Sequence, residues 1–240
     1  MYAVISDVHA NLEALKSVLK DIKGRNIRSL IFLGDAVGYG PDPDECIRML
    51  SSECGTLIAG NHDCGACGLT AVDLFNENAR AAIEWTKRVI SDEDLGVLRS
   101  FPVSAEDKEK DATFVHASPF EPEQWHYLLT SSDAEMNFGH FQTGLCFVGH
   151  SHRPFIIEKT LSGELILHKG EASFKPGSRY IINTGSVGQP RDMDPRAAYA
   201  VVGGGKVSII RVSYDVGAVQ KKMLAAGLPA PLIERLELGM

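Results

Sequence analysis

The stretch LCFVGHSHRP, Leu145 to Pro154, sets two histidines one residue apart after an apolar run. Four other apolar runs end in polar clusters. YAVIS runs into Asp7-Val8-His9, LIFLG into Asp35, TLIAG into Asn61-His62-Asp63, and ATFV into His116. These clusters use five of the eight histidines, together with buried-strand flanks that would aim them. Imidazoles, carboxylates and an amide oxygen suit borderline divalent ions such as Mn, Fe, Co, Ni or Zn. No cysteine stands among these candidates, which argues against a structural zinc site. Each cluster alone is weak evidence, since a lone D-x-H or Gly-Asp is usually a turn. Their joint occurrence at successive strand ends carries the inference.

To act together the clusters must be brought to one edge. Ligands of α/β proteins sit in loops at the carboxyl ends of strands. Tyr2 to Ile5, Ser29 to Leu33, Thr56 to Ala59, Ala112 to Val115 and Leu145 to Val148 read as strands. In extended backbone, residues i and i+2 share a direction, which predicts that Asp7 pairs with His9 and His150 with His152. Gly34, Gly60 and Gly149 precede their clusters and allow sharp turns. Between the strands, Asn11 opens a helix with Leu12, Leu15, Val18, Leu19 and Ile22 on one face, closing near Gly24. Pro43 to Leu50 and Ala71 to Ile90 also read as helices, and Ser91 starts another. After Pro154 short β candidates dominate: Phe155 to Ile157, Leu165 to Leu167, Tyr180 to Ile182, Tyr199 to Val202 and Val207 to Val212. Asp215 then caps a last helix with Val216, Val219 and Met223 on its apolar face.

The 240 residues read as one domain spanning 1–240, with no repeat or long linker. A formal net charge of −7 disfavours a broadly basic nucleic-acid or membrane surface. An anionic substrate would therefore need cations at the site. The N-terminus, MYAVISD, has no signal-peptide character, and no apolar run has membrane-spanning length. Five cysteines without framework spacing point to reduced thiols and a cytoplasmic location.

The ordered set D-x-H, G-D, G-N-H-D, H and G-H-x-H resembles the calcineurin-like metallophosphoesterase superfamily, from Asp7 to Asp192. SDVHANLEAL, GDAVGYGPDPDE and NTGSVGQPRD are most similar to its small bacterial phosphodiesterases and diadenosine tetraphosphatase-like members. The resemblance implies an α/β (α+β) fold, a four-layer αββα sandwich of two mixed β-sheets flanked by helices. It implies two divalent metal ions, with manganese the first choice and Fe, Ni, Co or Zn the others. By that resemblance Asp7, His9 and His152 hold one ion and Asn61, His116 and His150 the other. Asp35 bridges both, and His62 is the catalytic histidine that is not a ligand. No ligand position departs from the pattern. The implied activity is hydrolysis of a small phosphorylated molecule by a metal-bridging hydroxide, as a phosphodiesterase.

Two rival functions follow from the same resemblance. One is hydrolysis of diadenosine tetraphosphate or a related nucleotide. The other is a protein-binding scaffold like the retromer subunit of this fold, which has no need of His62. The short chain disfavours a protein Ser/Thr phosphatase. Several residues keep two readings. Asn11 is a helix N-cap or faces substrate; Arg191 clamps a phosphate or pairs with Asp192 or Asp194. The glycine-rich NTGSVGQPR offers backbone N–H groups to phosphate or is a structural turn. Tyr39 walls a pocket or packs locally. Asp63 orients a histidine or caps a turn. The loop with Trp125, His126 and Tyr127 is read as anchored to the core, with base stacking the alternative. Cys64 and Cys67 form a lone C-x-x-C without redox context, and His140 and His168 read as ordinary structural or surface residues. Substrate identity apart, the sequence leaves the oligomeric state open.

Overall fold

Tyr2–Ile5, Ser29–Phe32, Ala112–Val115 and Leu145–Val148 are strands buried along nearly their whole length, as strands covered on both faces must be. The computed structural model describes residues 1–240, with the side chain of Leu74 excepted. In chain order the elements are β1 (Tyr2–Ile5), α1 (Leu12–Gly24), β2 (Ser29–Phe32), α2 (Pro43–Glu53), β3 (Thr56–Leu57), α3 (Asn61–Ala66), α4 (Glu77–Val89) and α5 (Asp92–Leu98). Then come β4 (Ser104–Asp107), β5 (Ala112–Val115), α6 (Ser131–Asn137), β6 (Leu145–Val148), β7 (Phe155–Lys159), β8 (Leu165–His168), β9 (Glu171–Ser173) and β10 (Arg179–Asn183). β11 (Ala197–Gly203), β12 (Lys206–Val212), α7 (Val216–Ala225) and α8 (Ala230–Leu238) complete the chain.

The strands form two six-stranded mixed sheets, ordered β3-β2-β1-β11-β12-β9 and β4-β5-β6-β10-β7-β8. β3, β2 and β1 run parallel in the first sheet; β5, β6 and β10 run parallel in the second. Their carboxyl ends therefore gather on one edge of each sheet. Val4, Ile31, Leu33 and Ile58 meet Phe114, Phe147, Tyr180 and Ile182 between the sheets. Phe114 and Phe147 stack there at 5.5 Å. The outer face of the first sheet is covered by α1, α2 and α5 through Leu15, Val18, Ile47, Leu50 and Leu98. α6 and the segment after it cover the second through Ala134, Phe138 and Phe141. The result is the four-layer αββα sandwich expected. No helix among the described residues is long and apolar enough to cross a membrane.

Three elements differ from the sequence reading. The pattern from Ala71 to Ile90 is not one helix. Asn76 caps α4 by accepting the Ala79 N–H at 3.0 Å, so the preceding segment is a short turn and loop that carries Phe75. β3 ends at Leu57, because the Ala59 N–H donates to the Pro102 carbonyl outside the sheet. α7 is not the last helix. α8 follows it, with prolines in its first turn, and the pair packs on α4 and Tyr39 through Val219, Met223, Leu232 and Leu236.

Gly34 shows how tightly the strand ends abut. Its φ is +101°, and a Cβ there would lie 2.6 Å from the Gly60 nitrogen. Gly34→Ala should cost about 2–4 kcal/mol, combining left-handed strain with overlap against backbone. Thermal unfolding followed by circular dichroism should show Tm lower by about 5–10 °C. An unchanged Tm would mean that the two loops can part freely.

Candidate metal centre

The backbone does not stay extended through the clusters. Asp7, His9, Asp35, His150 and His152 all adopt left-handed φ, between 49° and 62°. The alternation argument for Asp7–His9 and His150–His152 is therefore corrected. Left-handed residues turn the chain so that Asp7 and His9 meet in one group, whereas His150 and His152 are sent to different groups, with Ala10 and Tyr39 also left-handed nearby. Such φ values are strained for residues with a Cβ, and clusters of them mark sites held by their surroundings. Gly149 makes room for this turn, since a Cβ there would meet Asp7 Oδ2 at 2.5 Å.

The structure brings Asp7, His9, Asp35 and His152 into one buried group, and Asp35, His116 and His150 into a second that shares Asp35. His9 Nδ1 lies 3.1 Å from the Val37 carbonyl, His116 Nδ1 2.9 Å from that of Leu33, and His152 Nδ1 2.6 Å from that of Gln189. A carbonyl only accepts, so each Nδ1 carries the proton and, in the neutral ring, each Nε2 presents a lone pair. Those lone pairs point at other acceptors. His9 Nε2 and His152 Nε2 face each other at 3.1 Å. His116 Nε2 stands 3.4 Å from Asp35 Oδ2 and 3.2 Å from Asn61 Oδ1. His152 Nε2 is 3.3 Å from Asp7 Oδ1, and His9 Nε2 is 3.6 Å from Asp35 Oδ2. His150 Nε2 is buried with no hydrogen-bond partner. Converging acceptors in a buried place need cations between them. The donor set fits two divalent ions, with Asp35 common to both groups.

The titration behaviour agrees. Burial holds His9, His150 and His152 well below the ordinary histidine range, so they are neutral, as ligands must be. Burial pulls His116 down too, but the charge and hydrogen bond of Asp35, the Asp7 charge and the Leu33 carbonyl together outweigh it and lift His116 to about 9. Burial pushes Asp7 up to about 7, with His116 opposing. For Asp35 burial also pushes upward, but the charges of His116 and His62 hold it below the carboxylate range. Positive charge is thus demanded where Asp35 and His116 meet.

The surrounding loops brace these residues. Asp63 accepts N–H bonds from Asp35 at 2.8 Å, Gly60 at 3.0 Å and Val37 at 3.2 Å. It fixes the Asp35 loop and the start of α3, the turn-capping alternative. Asn183 donates to the Gly149 carbonyl at 2.6 Å, and Ser186 Oγ to the Asp7 carbonyl at 2.8 Å. The N–H groups of Val187, Gly188 and Arg191 go to Ser6, Asp7 and His152 carbonyls. The NTGSVGQPR segment is therefore a staple, its N–H groups largely spent within the protein rather than offered to phosphate. Asn11 fills the helix-cap role offered beside the substrate contact. Its Oδ1 accepts the Ala14 N–H at 3.1 Å and its Nδ2 donates to Gly188 O at 2.8 Å, and it does not line the main cavity. Asp63, Asn11 and NTGSVGQPR thus take the structural one of the two readings the sequence left open, and only the individual bonds of Asn183 and Ser186 went unforeseen.

Over the two groups lies a cavity of about 280 Å³, lined by Asp35, Asn61, His62, His150, His152, Tyr39, Phe75, Trp125, Tyr127 and Arg191 among others. His62 donates its backbone N–H to Asp35 Oδ1 at 2.9 Å and packs on Tyr39 and Phe75 at 4.5 and 5.1 Å. Its Nδ1 is buried without a partner, against Gly38. Burial pushes His62 down to about 4, with Asp35 opposing. Arg191 pairs with neither Asp192 nor Asp194; Arg211 and Arg196 take those. Trp125 packs against the core, as the core-anchored reading of this loop expects, and both it and Tyr127 also line the cavity, where Tyr127 stacks on His150 at 4.1 Å. Cys64 and Cys67 are free and buried, their thiols raised by burial to about 12 and about 11, which makes them poor nucleophiles. His168 pairs with Glu158 at 2.8 Å, and His140 packs on Phe120.

A two-sheet sandwich with paired imidazole–carboxylate groups at its strand ends is the architecture of a metal-dependent phosphoesterase. The chain belongs to the calcineurin-like phosphoesterase superfamily, whose domain matches residues 1–203. It is 44% identical over 244 residues to an uncharacterized protein of Methanocaldococcus jannaschii, covering 100% of this chain and 98% of that one. It is also similar to the crystal structure of a metallophosphoesterase from Sphaerobacter thermophilus, with 41% identity, TM-score 0.87 and coverage of 100% and 98%. A hypothetical protein of Pyrococcus horikoshii shares the fold at 21% identity and TM-score 0.82, again with coverage of 100% and 98%.

Asp63 generates a prediction distinct from ligand loss. Asp63→Ala strands three buried N–H groups around Asp35, and should weaken Mn²⁺ binding by about 10–100-fold. Asp63→Asn, which keeps one acceptor oxygen, should lose less. Calorimetric titration of both variants checks this; equal affinity in the wild type and Asp63→Ala would remove Asp63 from the site.

Proposed function

We propose that this protein is a binuclear-metal-dependent phosphodiesterase acting on a small phosphorylated molecule, with manganese the first candidate metal. The observation that carries the reading is the convergence of the Nε2 atoms of His9, His116 and His152 with two buried carboxylates beneath a solvent-reaching cavity. Asp7, His9 and His152 would hold one ion, Asn61, His116 and His150 the other, and Asp35 both. Ions held there would activate a water near neutral pH and would offset the negative charge of the phosphoryl group. The protein's own groups do the rest. Arg191, which lines the cavity, offers the N–H donors not spent on Gln189 to an anionic oxygen of the substrate. His62 Nε2, the ring nitrogen not packed against Gly38, delivers a proton to the leaving oxygen. An anionic phosphoryl group beside His62 raises its pKa from the low value that burial imposes. The five free thiols suit a reducing cytoplasm.

A dinucleoside polyphosphate is the second reading, favoured by Phe75, Trp125 and Tyr127 lining the cavity, where a planar base could stack. The scaffold reading has nothing comparable behind it. A protein-docking surface needs neither oriented Nε2 lone pairs nor a buried shared carboxylate.

Reloading metal-free protein with Mn, Fe, Co, Ni, Zn or Mg should restore hydrolysis of bis-p-nitrophenyl phosphate, p-nitrophenyl phosphate, cyclic nucleotides or dinucleoside polyphosphates, with diesters preferred. His62→Ala should keep both metals and lose about 10²–10⁴-fold in turnover where the leaving group needs a proton. With p-nitrophenolate as leaving group the loss should shrink. Metal loss in this variant would contradict its assignment.

Asp35→Asn should lower occupancy at both sites and abolish diesterase activity, because it removes charge from the group shared by two cations. Asn61→Ala should leave one ion bound and weaken the other. Anomalous scattering at two wavelengths, with metal titration, reads the difference. Loss of a single ion in Asp35→Asn and of both in Asn61→Ala would reverse the roles.

A further inference from the structure

Arg191, which lines the cavity, and Arg235 on α8 both lack a carboxylate partner. Arg191 donates from Nε and Nη2 to the amide oxygen of Gln189, at 3.2 and 2.7 Å, and its Cζ stands 5.6 Å from the centroid of the Tyr39 ring. Arg235 lies on α8, whose Leu232 and Leu236 pack in the same apolar cluster as Tyr39. The end of α8 is latched to the Arg191 loop, since the Met193 N–H donates to the Gly239 carbonyl at 2.8 Å. Arg191 is two residues before Met193, and Arg235 is about one helical turn before Gly239. The two segments that carry these arginines are thus tied together beside Tyr39.

The nearby acids are engaged elsewhere. Asp192 pairs with Arg211 and Asp194 with Arg196, while Glu234 and Glu237 on α8 are exposed. Among the described residues no carboxylate oxygen lies within 4.0 Å of either guanidinium. Both arginines are half-buried. Burial, and then the charge of Arg191, pulls Arg235 below the usual arginine range. A chain of net charge −7 has acids to spare, yet supplies none here. Two neighbouring cations in a partly desolvated place repel each other, and an anion received between them relieves that repulsion.

We propose that Arg235 and Arg191 form an anion subsite beside the cavity, so that the preferred substrate carries a second anionic group besides the phosphoester cleaved. The proposal rests on the phosphoesterase reading above and adds the substrate class. α8 lies beyond residue 203, where the superfamily match ends, so Arg235 brings a side chain of the C-terminal pair of helices to Arg191 of the shared domain. In this arrangement the sheet edges supply the reacting centre, and α8 selects for charge at a distance from it.

The test uses manganese-loaded protein and three diesters with the same leaving group. These are propyl p-nitrophenyl phosphate and two analogues whose propyl chain ends in a carboxylate or a phosphate. The readout is the ratio of kcat/KM for each charged-tail substrate to that for the neutral one. In the wild type the ratio should favour at least one charged tail by about tenfold or more, chiefly through KM, as charge-assisted hydrogen bonds do. Arg235→Ala should lower that ratio by about tenfold, and Arg235→Lys should fall between. The tail that loses more identifies the anion as carboxylate or phosphate. An Arg235→Ala variant that loses activity equally on all three substrates would reveal a merely structural arginine and overturn the subsite. So would an unchanged ratio. Should none of the diesters turn over, the phosphoesterase reading fails. The dissociation constants of the same three compounds, measured by calorimetry on wild type and Arg235→Ala, then decide the subsite on the same ratio.

Discussion

His9, His116 and His152 orient their Nδ1 atoms on the carbonyls of Val37, Leu33 and Gln189, and the rest of the site follows from where that leaves Nε2. An imidazole with a free choice of tautomer would turn a proton toward the nearest acceptor and quench the cluster. Pinned as they are, the three rings present lone pairs to one another and to Asp7 and Asp35. The arrangement is costly by itself, since buried acceptors without donors lose their hydration unrecovered. It is stable only with positive charge at its centre. His116, lifted to about 9, shows where a proton serves when nothing stronger does. The carbonyls that fix the tautomers come from loops, so the loops must themselves be fixed.

That fixing is the role of the strained backbone and its braces. Left-handed φ at Asp7, His9, Asp35, His150 and His152 costs about 1–3 kcal/mol per residue. No single interaction offsets this. Asp63 ties the Asp35 loop to α3, and Asn183 with Ser186 ties the Asp7 and His150 loops together. The strain is held by a closed set of buried hydrogen bonds. The same set prevents ligand side chains from relaxing apart when their charges repel.

Much of this was legible in the sequence. Strands such as YAVI and LCFV announce themselves by uninterrupted apolar runs, and the polar residues that follow them are the site. Legibility ended where the physics is tertiary. The D-x-H spacing suggested extended alternation, yet the residues are left-handed, because φ is set by the loops packed around them. Asn11 had the residue type of a substrate contact and the position of a helix cap; the cap and Gly188 consume its amide. NTGSVGQPR looked like a phosphate cradle because glycine and hydroxyl residues serve both phosphate loops and tight staples. α8 went unnoticed because its helical period is short and prolines stand at its start. The place of Trp125 and Tyr127 depends on a loop whose path no local pattern encodes.

The sandwich itself is the last determinant of the chemistry. Neither group of donors is completed by one sheet. Asp7, His9 and Asp35 follow strands of the first sheet and must meet His152 from the second. Asp35 must also reach His116 and His150, both from the second. The distance between these donors is therefore the distance between the sheets, and the interior sets it. Phe114 stacked on Phe147, with Ile31, Leu33 and Ile182 beside them, acts as the spacer. Protein interiors are packed as densely as organic crystals, so this spacer holds to fractions of an ångström. A metal site tolerates little more. A core that another protein would use only for stability here also sets the separation of two cations, and a void opened between the sheets would be felt at the strand ends before it was felt in the fold.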